Sequence, residues 1–497
     1  MGTNDGTAAV RGARGRVVML VDNGVEGDSR VQKTARSAAE AGWDVTLLGC
    51  SPTDREQRWQ LGPALVRLLP MPGARPAPAT TPTSDGPTSD GVPAGGAAAS
   101  RPVRRTPREW LLARGGLPLR AARLARRPLE HAQVRLWRAV QGDGAWRRLE
   151  PGLWNYERAF GPVVDALAPD LIHAHDFRML GVGARARERA RGAGRPVRLV
   201  WDAHEFLPGA RPRRDNARWL PAHLGYEREY APYADAVVTV SEGLADLLHR
   251  EYHLPARPGV ILNAPAVDGE GDPSTGEPTG DEPGAAAPDL RRLCGLDGST
   301  PLLVYAGSAA VQRGLDTVVE ALPRLGGVHL ALVVGDPQAP YVRQLTAAAG
   351  RLGVADRVHV QRYVSPWQVV PFLSSADVGL IPLHHWPNHE IALITKFFEY
   401  AHARLPIVVS DVRTMAETVR ATGQGEVFRA RDVADLVRAV RAVLADPGRY
   451  RAAYDGPDSP LPGWTWAAQA RRLDTLYRDL LATEPVTPTP AGQANLR

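Results

Sequence analysis

Two series of strand, turn and helix, separated by an acidic linker, are the feature that most constrains the fold. Residues 17–21 form a short, wholly apolar run that ends at the turn sequence Asp-Asn-Gly of residues 22–24. Residues 30–41 then have helical spacing, and Gly42 separates them from a second strand-like run at residues 44–48. Short apolar runs bounded by turn residues are typical of strands buried in a parallel sheet. The pattern therefore predicts a βαβ unit, the opening of a Rossmann-like domain.

The same pattern recurs in the second half of the chain. Residues 301–307 form an apolar run that ends in Gly307, and residues 314–325 have helical spacing. Further strands are predicted at residues 171–173, 197–201, 236–240, 328–334, 358–360, 378–382 and 406–410. Arg198 interrupts one of these runs, which predicts that its strand lies near a sheet edge. Two α/β domains imply a cleft between them, because ligands of such sheets bind beyond the carboxyl ends of the strands.

A chain of 497 residues is too long for one hydrophobic core, so we expect two domains with accessory segments. Residues 72–100 are rich in Pro, Ala, Thr, Ser and Gly and bury too little apolar surface to fold. We expect a disordered start (1–15) and then an N-terminal Rossmann-like domain (16–265). This domain includes the low-complexity loop (72–100) and an arginine-rich helical insert (101–160). A linker (266–289) leads to a C-terminal domain (290–460), which is followed by a helix (461–483) and a disordered tail (484–497).

Positive charge is concentrated in the insert. The net charge of the chain is +6, and residues 101–150 carry thirteen arginines against four acidic residues. Leucines and tryptophans are spaced among these arginines, which suits a helix on the anionic surface of a membrane. The alternative is an ordinary helical elaboration that packs its leucines on the domain and leaves its arginines in water. No recognition motif for DNA or RNA accompanies the charge, so nucleic acid is not an expected partner.

Cysteine content and hydropathy indicate a cytoplasmic protein. Cys50 and Cys294 are the two cysteines, and they fit neither a disulfide framework nor a metal-ligand spacing. No run approaches the roughly 18 apolar residues of a spanning helix. The polar start does not resemble a signal peptide. We expect a cytoplasmic location, with peripheral contact at the inner face of the membrane as an extension of that prediction.

Lysine is nearly absent, and its two occurrences are informative. Of 60 basic residues only Lys33 and Lys396 are lysines. An ammonium is a compact point charge that a guanidinium does not replace at a tight site. One lysine follows the first predicted strand and the other begins a late helix, so they suggest a shared cleft. The alternative is that both are chance survivors of a bias towards arginine.

Several motifs together resemble those of the family 4 glycosyltransferases, which have the GT-B fold. The resemblance covers most of the chain except residues 72–150 and the linker. The motifs are Asp-x-Arg-Val-x-Lys at 28–33, His-Ala-His-Asp at 173–176, Asp-Ala-His-Glu at 202–205, Ala-Asp-Ala-Val-Val-Thr-Val-Ser-Glu at 234–242 and Asn-Ala-Pro at 263–265. The resemblance implies two Rossmann-like domains facing a cleft, with the helix at 461–483 crossing back to the N-terminal domain.

The resemblance places a nucleotide-sugar donor on the C-terminal domain. A strand, a glycine turn and a helix present free N–H groups to an anion, and Gly307, Ser308 and Arg313 match the family's diphosphate loop. The family's second basic residue is missing there, so Lys396 is the candidate for that charge. Glu399 is expected to bind the ribose hydroxyls. The alternatives are a solvated arginine and a glutamate that only caps a helix.

The sequence departs from the family pattern at one position. Members carry two glutamates seven residues apart, and the position before Glu399 holds Ile391. Glu390 lies one residue away, so a loop shift would make it a donor ligand. Alternatively, backbone amides face the sugar, and Glu390 is an ordinary solvated loop residue.

The resemblance also implies roles for residues on the N-terminal side of the cleft. His175 is expected beside the transferred sugar, where it acts in catalysis with Arg313 and Lys396. His173 is expected in the core. Residues expected to line the cleft for the acceptor are Asn23, Gly24, Arg30, Lys33 and His204. For His175 and His204 a structural position is the alternative.

The resemblance implies a glycosyltransferase that moves a sugar from a nucleoside-diphosphate sugar to a glycan, a lipid-linked or a small-molecule acceptor, with retention, as in cell-envelope glycan synthesis. No metal and no cofactor are expected, because fixed basic groups neutralise the leaving diphosphate. The sequence lacks an ATPase phosphate loop, a lysine placed for pyridoxal phosphate and a plausible Asp-x-Asp loop. The rival hypothesis is a catalytically inactive GT-B protein that binds a glycan or nucleotide.

Overall fold

The computed structural model describes residues 14–72, 117–210, 216–267 and 287–483. The predicted low-complexity loop and tail, nearly all of the predicted disordered start and most of the predicted linker lie outside these ranges. Within them the chain forms two α/β domains, each built on one sheet. No described helix combines the length and apolarity needed to cross a bilayer.

The N-terminal domain contains an eight-stranded sheet with the order β3-β4-β2-β1-β5-β6-β7-β8. All its neighbours are parallel except β3 and β4, which form an antiparallel hairpin. The strands are β1 (Arg16–Leu20), β2 (Asp44–Ser51), β3 (Gln57–Leu61), β4 (Ala64–Pro70), β5 (Leu171–His175), β6 (Arg198–Ala203), β7 (Ala236–Thr239) and β8 (Gly259–Val260). The helices are α1 (Ser29–Glu40), α2 (Leu117–Gln141), α3 (Trp146–Leu149), α4 (Trp154–Leu167), α5 (Asp176–Gly192), α6 (Trp219–Tyr230) and α7 (Glu242–Tyr252).

The predicted strands of this domain are confirmed, but the observed sheet differs from the prediction in three respects. The hairpin of β3 and β4 and the short strand β8 were not predicted. The edge position predicted from Arg198 is wrong, because β6 lies between β5 and β7. Arg198 stands at the first residue of the strand, where its guanidinium pairs with the Asp235 carboxylate at 3.2 Å. A charge neutralised at a strand end is compatible with an interior strand.

The predicted insert at 101–160 is two different structures. Its described first part, α2, packs on the domain through one face and leaves another exposed, whereas the part after residue 141 belongs to the core. Trp146 is fully buried and its indole donates to Glu229 at 2.8 Å, while Phe160 of α4 packs in the same cluster. The helix α4 is the crossover that returns the chain to β5. The boundary of 160 is therefore too late, because aromatic anchors make residues 142–160 part of the domain.

The C-terminal domain contains a fully parallel six-stranded sheet with the order β11-β10-β9-β12-β13-β14. Its strands are β9 (Leu302–Ala306), β10 (His329–Val334), β11 (Val358–Arg362), β12 (Val378–Ile381), β13 (Ile407–Ser410) and β14 (Gly425–Phe428). Its helices are α8 (Leu290–Leu293), α9 (Leu315–Ala321), α10 (Pro340–Arg351), α11 (Val369–Leu373), α12 (Pro387–Ile391), α13 (Thr395–His402), α14 (Arg413–Thr422), α15 (Val433–Ala445) and α16 (Pro447–Arg451). Only β14 was not predicted from the sequence.

The last helix, α17 (Trp466–Ala482), crosses back to the N-terminal domain as the resemblance implies. The hydroxyl of Tyr477 lies 2.6 Å from Nδ1 of His173 on β5, and both side chains are fully buried. Asp474 accepts hydrogen bonds from Trp43 and Arg14, each at 2.9 Å. The helix α17 is thus part of the N-terminal core.

The contact between Tyr477 and His173 can be tested with Tyr477→Phe, which removes only the hydroxyl. We expect the free energy of unfolding to fall by about 1–3 kcal/mol, because a buried imidazole nitrogen loses its partner. Urea denaturation measures this loss, and faster tryptic cleavage after exposed Arg478 should accompany it.

Tyr454→Phe is the matched control, since it removes a buried hydroxyl that donates to the Leu405 carbonyl at 2.7 Å inside the C-terminal domain. It should lower stability without accelerating cleavage in α17. Unchanged cleavage in Tyr477→Phe would contradict the anchoring role.

Candidate active site

Loops at the carboxyl ends of the two sheets meet in one place. The segment around α12 follows β12 in the C-terminal domain and contacts the N-terminal domain directly. The Asn388 side chain accepts from the Phe206 amide at 3.2 Å, and the Ser241 hydroxyl donates to the Ile391 carbonyl. The cleft predicted from the two α/β series is therefore bounded by residues that follow β6, β7 and β12.

A buried polar cluster lies at the ends of β5 and β6. Asp202 is its centre, and one of its oxygens lies 3.3 Å from both His175 Nδ1 and His204 Nε2 and 3.5 Å from His173 Nε2. Arg30 of α1 binds both oxygens of that carboxylate, at 2.9 and 2.8 Å. All but His204 are almost completely inaccessible to solvent.

The charges of this cluster follow from burial and proximity. Burial alone would raise the pKa of Asp202, but Arg30 and His204 outweigh it and hold that pKa well below its usual range. Burial lowers the pKa of His173, and burial with the neighbouring His173 lowers that of His175 to about 3. These two imidazoles are neutral at pH 7.

His204 is the cationic member of the cluster. Burial opposes its protonation, yet the carboxylates of Asp202 and Asp176 outweigh this and raise its pKa to about 9. Its side chain is 18% exposed. An imidazolium at a partly open strand end can donate to an anionic or hydroxyl oxygen.

Asp176 is the functional candidate that the sequence analysis missed. It follows His175 directly and has a φ of 61°, a left-handed conformation that an aspartate adopts at some strain. Its carboxylate lies 3.7 Å from Nδ1 of His204. Burial raises its pKa to about 6, with further increase from Asp22 and opposition from His204. The signal was its place at the end of the His-Ala-His-Asp motif.

Two residues predicted to line the N-terminal side of the cleft are buried inside the domain instead. Arg30 and Lys33 are buried, so neither is open to an acceptor. Lys33 donates to the Ala264 carbonyl at 2.6 Å and to the Asn263 side chain at 3.0 Å, and it stacks on Trp466. These contacts join α1 to the start of the linker and to α17.

Asn23 and Gly24 form the turn after β1 rather than an evident ligand site. The Asn23 amide donates to Asp28 at 2.9 Å, and its oxygen accepts from the Val25 amide at 2.7 Å. A Cβ at Gly24 would have the Cys50 carbonyl as its nearest neighbour, at 3.8 Å, so the turn does not require glycine for space. His175 is fully buried in this structure, and its contact with a sugar stays a prediction.

The three side chains of His173, His175 and Asp202 have ligand atoms within 4.8 Å of one another, the spacing that a metal ion requires. The guanidinium of Arg30 binds both oxygens of Asp202. A cation would therefore compete with an existing positive charge for the same carboxylate. The arrangement suits an ion-pair network better than a metal centre.

On the C-terminal side, Gly307 and Arg313 lie at the end of β9. Gly307 has a φ of 150° and Gly314 one of 70°. A Cβ at Gly314 would come within 1.9 Å of the Pro382 carbonyl, so glycine is required where the chain turns into α9. Arg313 Nε is buried and has no hydrogen-bond partner among the described residues. A buried guanidinium N–H without a partner indicates a place for an anion.

Lys396 and Glu399 face the same region from α13. Lys396 Nζ lies 2.7 Å from Glu399 Oε2, and their side chains are 26% and 10% exposed. Tyr400 fixes the helix to β9, because its hydroxyl accepts from the Ala306 amide at 2.8 Å. The charges of Lys396, Arg313 and Glu399 all act on the half-exposed Tyr363 that follows β11. The predicted donor residues therefore share one neighbourhood.

Glu390 is the exception, and its prediction as a donor ligand is not supported. One of its oxygens lies 2.6 Å from His385 Nδ1, and the other accepts from the Arg413 amide at 2.9 Å. The carboxylate thus caps α14 and ties α12 to it. Ile391 at the family's glutamate position is buried, so that position presents no carboxylate. The exposed Ser308 remains in the predicted loop.

Comparisons with known proteins agree with this geometry. Residues 300–446 match the family model described as "Glycosyl transferases group 1", and residues 96–265 match "Glycosyltransferase Family 4". The two matches together span more than half of the chain, one on each domain.

Curated relatives and solved structures extend the agreement. The chain is 27% identical over 326 residues to a D-inositol 3-phosphate glycosyltransferase of Xylanimonas cellulosilytica, covering 64% of this chain and 73% of that protein. It is 28% identical over 343 residues to an alpha-maltose-1-phosphate synthase of Mycolicibacterium smegmatis, covering 64% and 81%. The fold matches a sucrose-phosphate synthase of Thermosynechococcus elongatus with a TM-score of 0.62 and 17% identity, over 94% of this chain and 100% of that one. The chain therefore belongs to the family 4 glycosyltransferases and is an enzyme of the GT-B fold.

Proposed function

We propose that the enzyme binds a nucleoside-diphosphate sugar on its C-terminal domain and transfers the sugar, with retention, to an acceptor on its N-terminal domain. The observation that carries this proposal is Arg313, a partly buried cation whose buried Nε–H has no hydrogen-bond partner among the described residues. Its charge and those of the Lys396–Glu399 pair act on the same side chain, Tyr363. A diphosphate supplies oxygens for both cations. Glu399 can accept hydrogen bonds from ribose hydroxyls while it keeps Lys396 in place.

The leaving diphosphate needs charge stabilisation, and the fixed groups of this site can provide it. Arg313, Lys396 and the first turn of α13, which has no side-chain cap, present donors where negative charge develops. We propose that neither a metal nor a cofactor is required. His204 and Asp176 lie on the opposite side of the cleft, where an imidazolium and a carboxyl with a pKa of about 6 can orient a hydroxyl. His175 is proposed to position His204, its neighbour at 3.4 Å.

The donor site is tested by Arg313→Ala and Glu399→Gln. We expect Arg313→Ala to weaken nucleoside-diphosphate binding by about 1–3 kcal/mol and nucleoside binding little, and Glu399→Gln to weaken both, because ribose hydroxyls belong to each ligand. Calorimetry with UDP, GDP and ADP measures this. Arg441→Ala, which removes a bond to the Arg324 carbonyl, is the control. Equal losses of nucleoside and diphosphate in Arg313→Ala would contradict the assignment.

Turnover separates the enzyme from a protein that only binds. Release of nucleoside diphosphate from a panel of UDP-, GDP- and ADP-sugars in the presence of EDTA is the expected result. The anomeric configuration of the product, read by NMR, tests retention. Binding without release from any donor would favour the inactive alternative, which the tied Glu390 and the apolar Ile391 motivate.

The charge of His204 makes stability depend on pH. Its folded pKa of about 9 exceeds the value of about 6.5 in an unfolded chain. Protonation therefore stabilises the fold fully below pH about 6.5, and this contribution is lost as pH rises through about 9. We expect the free energy of unfolding to fall by about 1–3 kcal/mol across this range. His204→Gln should remove that slope, and His131→Gln in exposed α2 should keep it. An unchanged slope in His204→Gln would refute the assigned charge.

The helix α2 supports a proposed contact with an anionic membrane surface. Leu129, Leu136 and Val140 lie on one helical face and are 66%, 57% and 64% exposed. The opposite face packs on the domain through Val134 and Trp137. The alternative in which the leucines pack on the domain is wrong for Leu129 and Leu136. We propose that the enzyme acts at the cytoplasmic face of a membrane, in cell-envelope glycan synthesis.

Membrane contact is tested by co-sedimentation with vesicles. The wild type should pellet with phosphatidylglycerol vesicles at low salt and be released by salt, because each arginine contributes about 1 kcal/mol at most. Replacing Leu129, Leu136 and Val140 by serine should abolish pelleting and leave donor hydrolysis intact. Serine at the exposed Ala132 and Ala139 is the matched control. Failure of the wild type to pellet at low salt would end the membrane proposal.

A further inference from the structure

A pocket of about 380 Å³ lies in the N-terminal domain beyond the ends of β1, β2 and β4. Three of its lining residues come from these strand ends, namely Asp22, Cys50 and Met71. Asn155 and Tyr156, from the first turn of α4, form the facing wall. The pocket is therefore built by the core part of residues 142–160, which the sequence analysis had assigned to an insert.

The pocket adjoins the proposed reaction centre. Asp22 pairs with Arg178 of α5, and its negative charge contributes to the raised pKa of Asp176. Asp176 in turn faces His204. Asp22 therefore couples the pocket electrostatically to the Asp176–His204 pair, where the proposed function requires an acceptor hydroxyl.

The wall chemistry selects the kind of ligand. The carboxylate of Asp22, the amide of Asn155 and the phenol of Tyr156 together accept and donate hydrogen bonds, as hydroxyl groups require. Met71 and the thiol of Cys50 provide an apolar side. None of the lining residues that the structure describes is basic. Among the described residues, Arg178 is the only cation that forms an ion pair with a lining residue. Its partner is Asp22, which neutralises its charge.

Asp22 acts more strongly than Arg178 on the two titratable groups that line the pocket beside it. Burial raises the pKa of the Cys50 thiol to about 12, and Asp22 raises it further by more than Arg178 lowers it. Burial also raises the pKa of Tyr156, and there too Asp22 raises it by more than Arg178 lowers it. Both groups therefore keep their protons, and a phosphate in the pocket would face the Asp22 carboxylate.

We propose that this pocket binds the acceptor, and that the acceptor group seated there is an uncharged, hydroxyl-bearing ring with one apolar face. This inference rests on the proposed function for its identification of the ligand as the acceptor. It separates this enzyme from the relatives described above, one of which is named for an inositol phosphate. Specificity would come from Asp22, which favours hydroxyl groups and repels phosphate.

The test compares two probes with the same alkyl chain, n-octyl glucoside and n-octyl phosphate, below their micelle concentrations. Calorimetry should show that the wild type binds the glucoside at least about tenfold more tightly than the phosphate. Asn155→Phe, which fills the pocket from a half-buried position, should weaken glucoside binding by at least about tenfold. Asp22→Asn leaves Arg178 unpaired and should shift the preference towards the phosphate by about tenfold or more.

Asp44→Asn is the matched control, because Asp44 pairs with Arg16 at 2.9 Å at the opposite end of the same sheet. It should leave both probes unaffected. Equal binding of the two probes, no glucoside binding, or no effect of Asn155→Phe in a protein with native circular dichroism would overturn the proposal. UDP, GDP and ADP binding is measured on the same samples. If these nucleotides fail to bind while the glucoside binds, the proposed donor site is wrong and the pocket stands.

Discussion

The ion pair of Arg30 with Asp202 is the interaction on which the N-terminal side of the active site depends. It is buried and bidentate, and a third guanidinium N–H donates to the Ile261 carbonyl at 2.7 Å. A buried pair is favourable only when its leftover hydrogen-bonding groups are satisfied. Here Arg30 has its bond to Ile261, and nitrogens of three histidines lie 3.3–3.5 Å from the Asp202 carboxylate. The pair joins α1 and β6, and the bond to Ile261 adds the segment that follows β8.

This arrangement fixes which histidine carries charge. Asp202 stays ionised while Arg30 is bound, and its charge together with that of Asp176 raises the pKa of one nearby imidazole. His173 and His175 are too deeply buried to accept that role, and His204 at the open end takes it. The cluster is closed from behind by Tyr477 of α17. The last helix of the chain therefore helps set the electrostatics of a site formed by the first half.

The strands, the two domains and the donor neighbourhood could be predicted from the sequence because apolar runs and glycine turns are local signals. The hairpin was missed because β3, with the sequence Gln-Arg-Trp-Gln-Leu, is a polar edge strand with no apolar run. The contacts that Lys33 and Glu390 make within the chain could not be predicted, for a different reason. A charged residue near a predicted cleft has the same local sequence whether it meets a ligand or a partner in the chain. Lys33 pairs with Ala264, which lies 231 residues away, and no local pattern reports that distance.

The connection between β4 and α4 has a consequence for how this enzyme diversifies. Met71 at its beginning and Asn155 at its end border the same pocket, and α2 lies between them in sequence. Changing the length of a surface connection costs a domain little free energy. Lineages could therefore exchange this single stretch and acquire a new acceptor preference and a new surface affinity in one step. The sheet and the nucleotide-binding domain would be inherited unchanged. Acceptor range and membrane association would therefore evolve as linked traits.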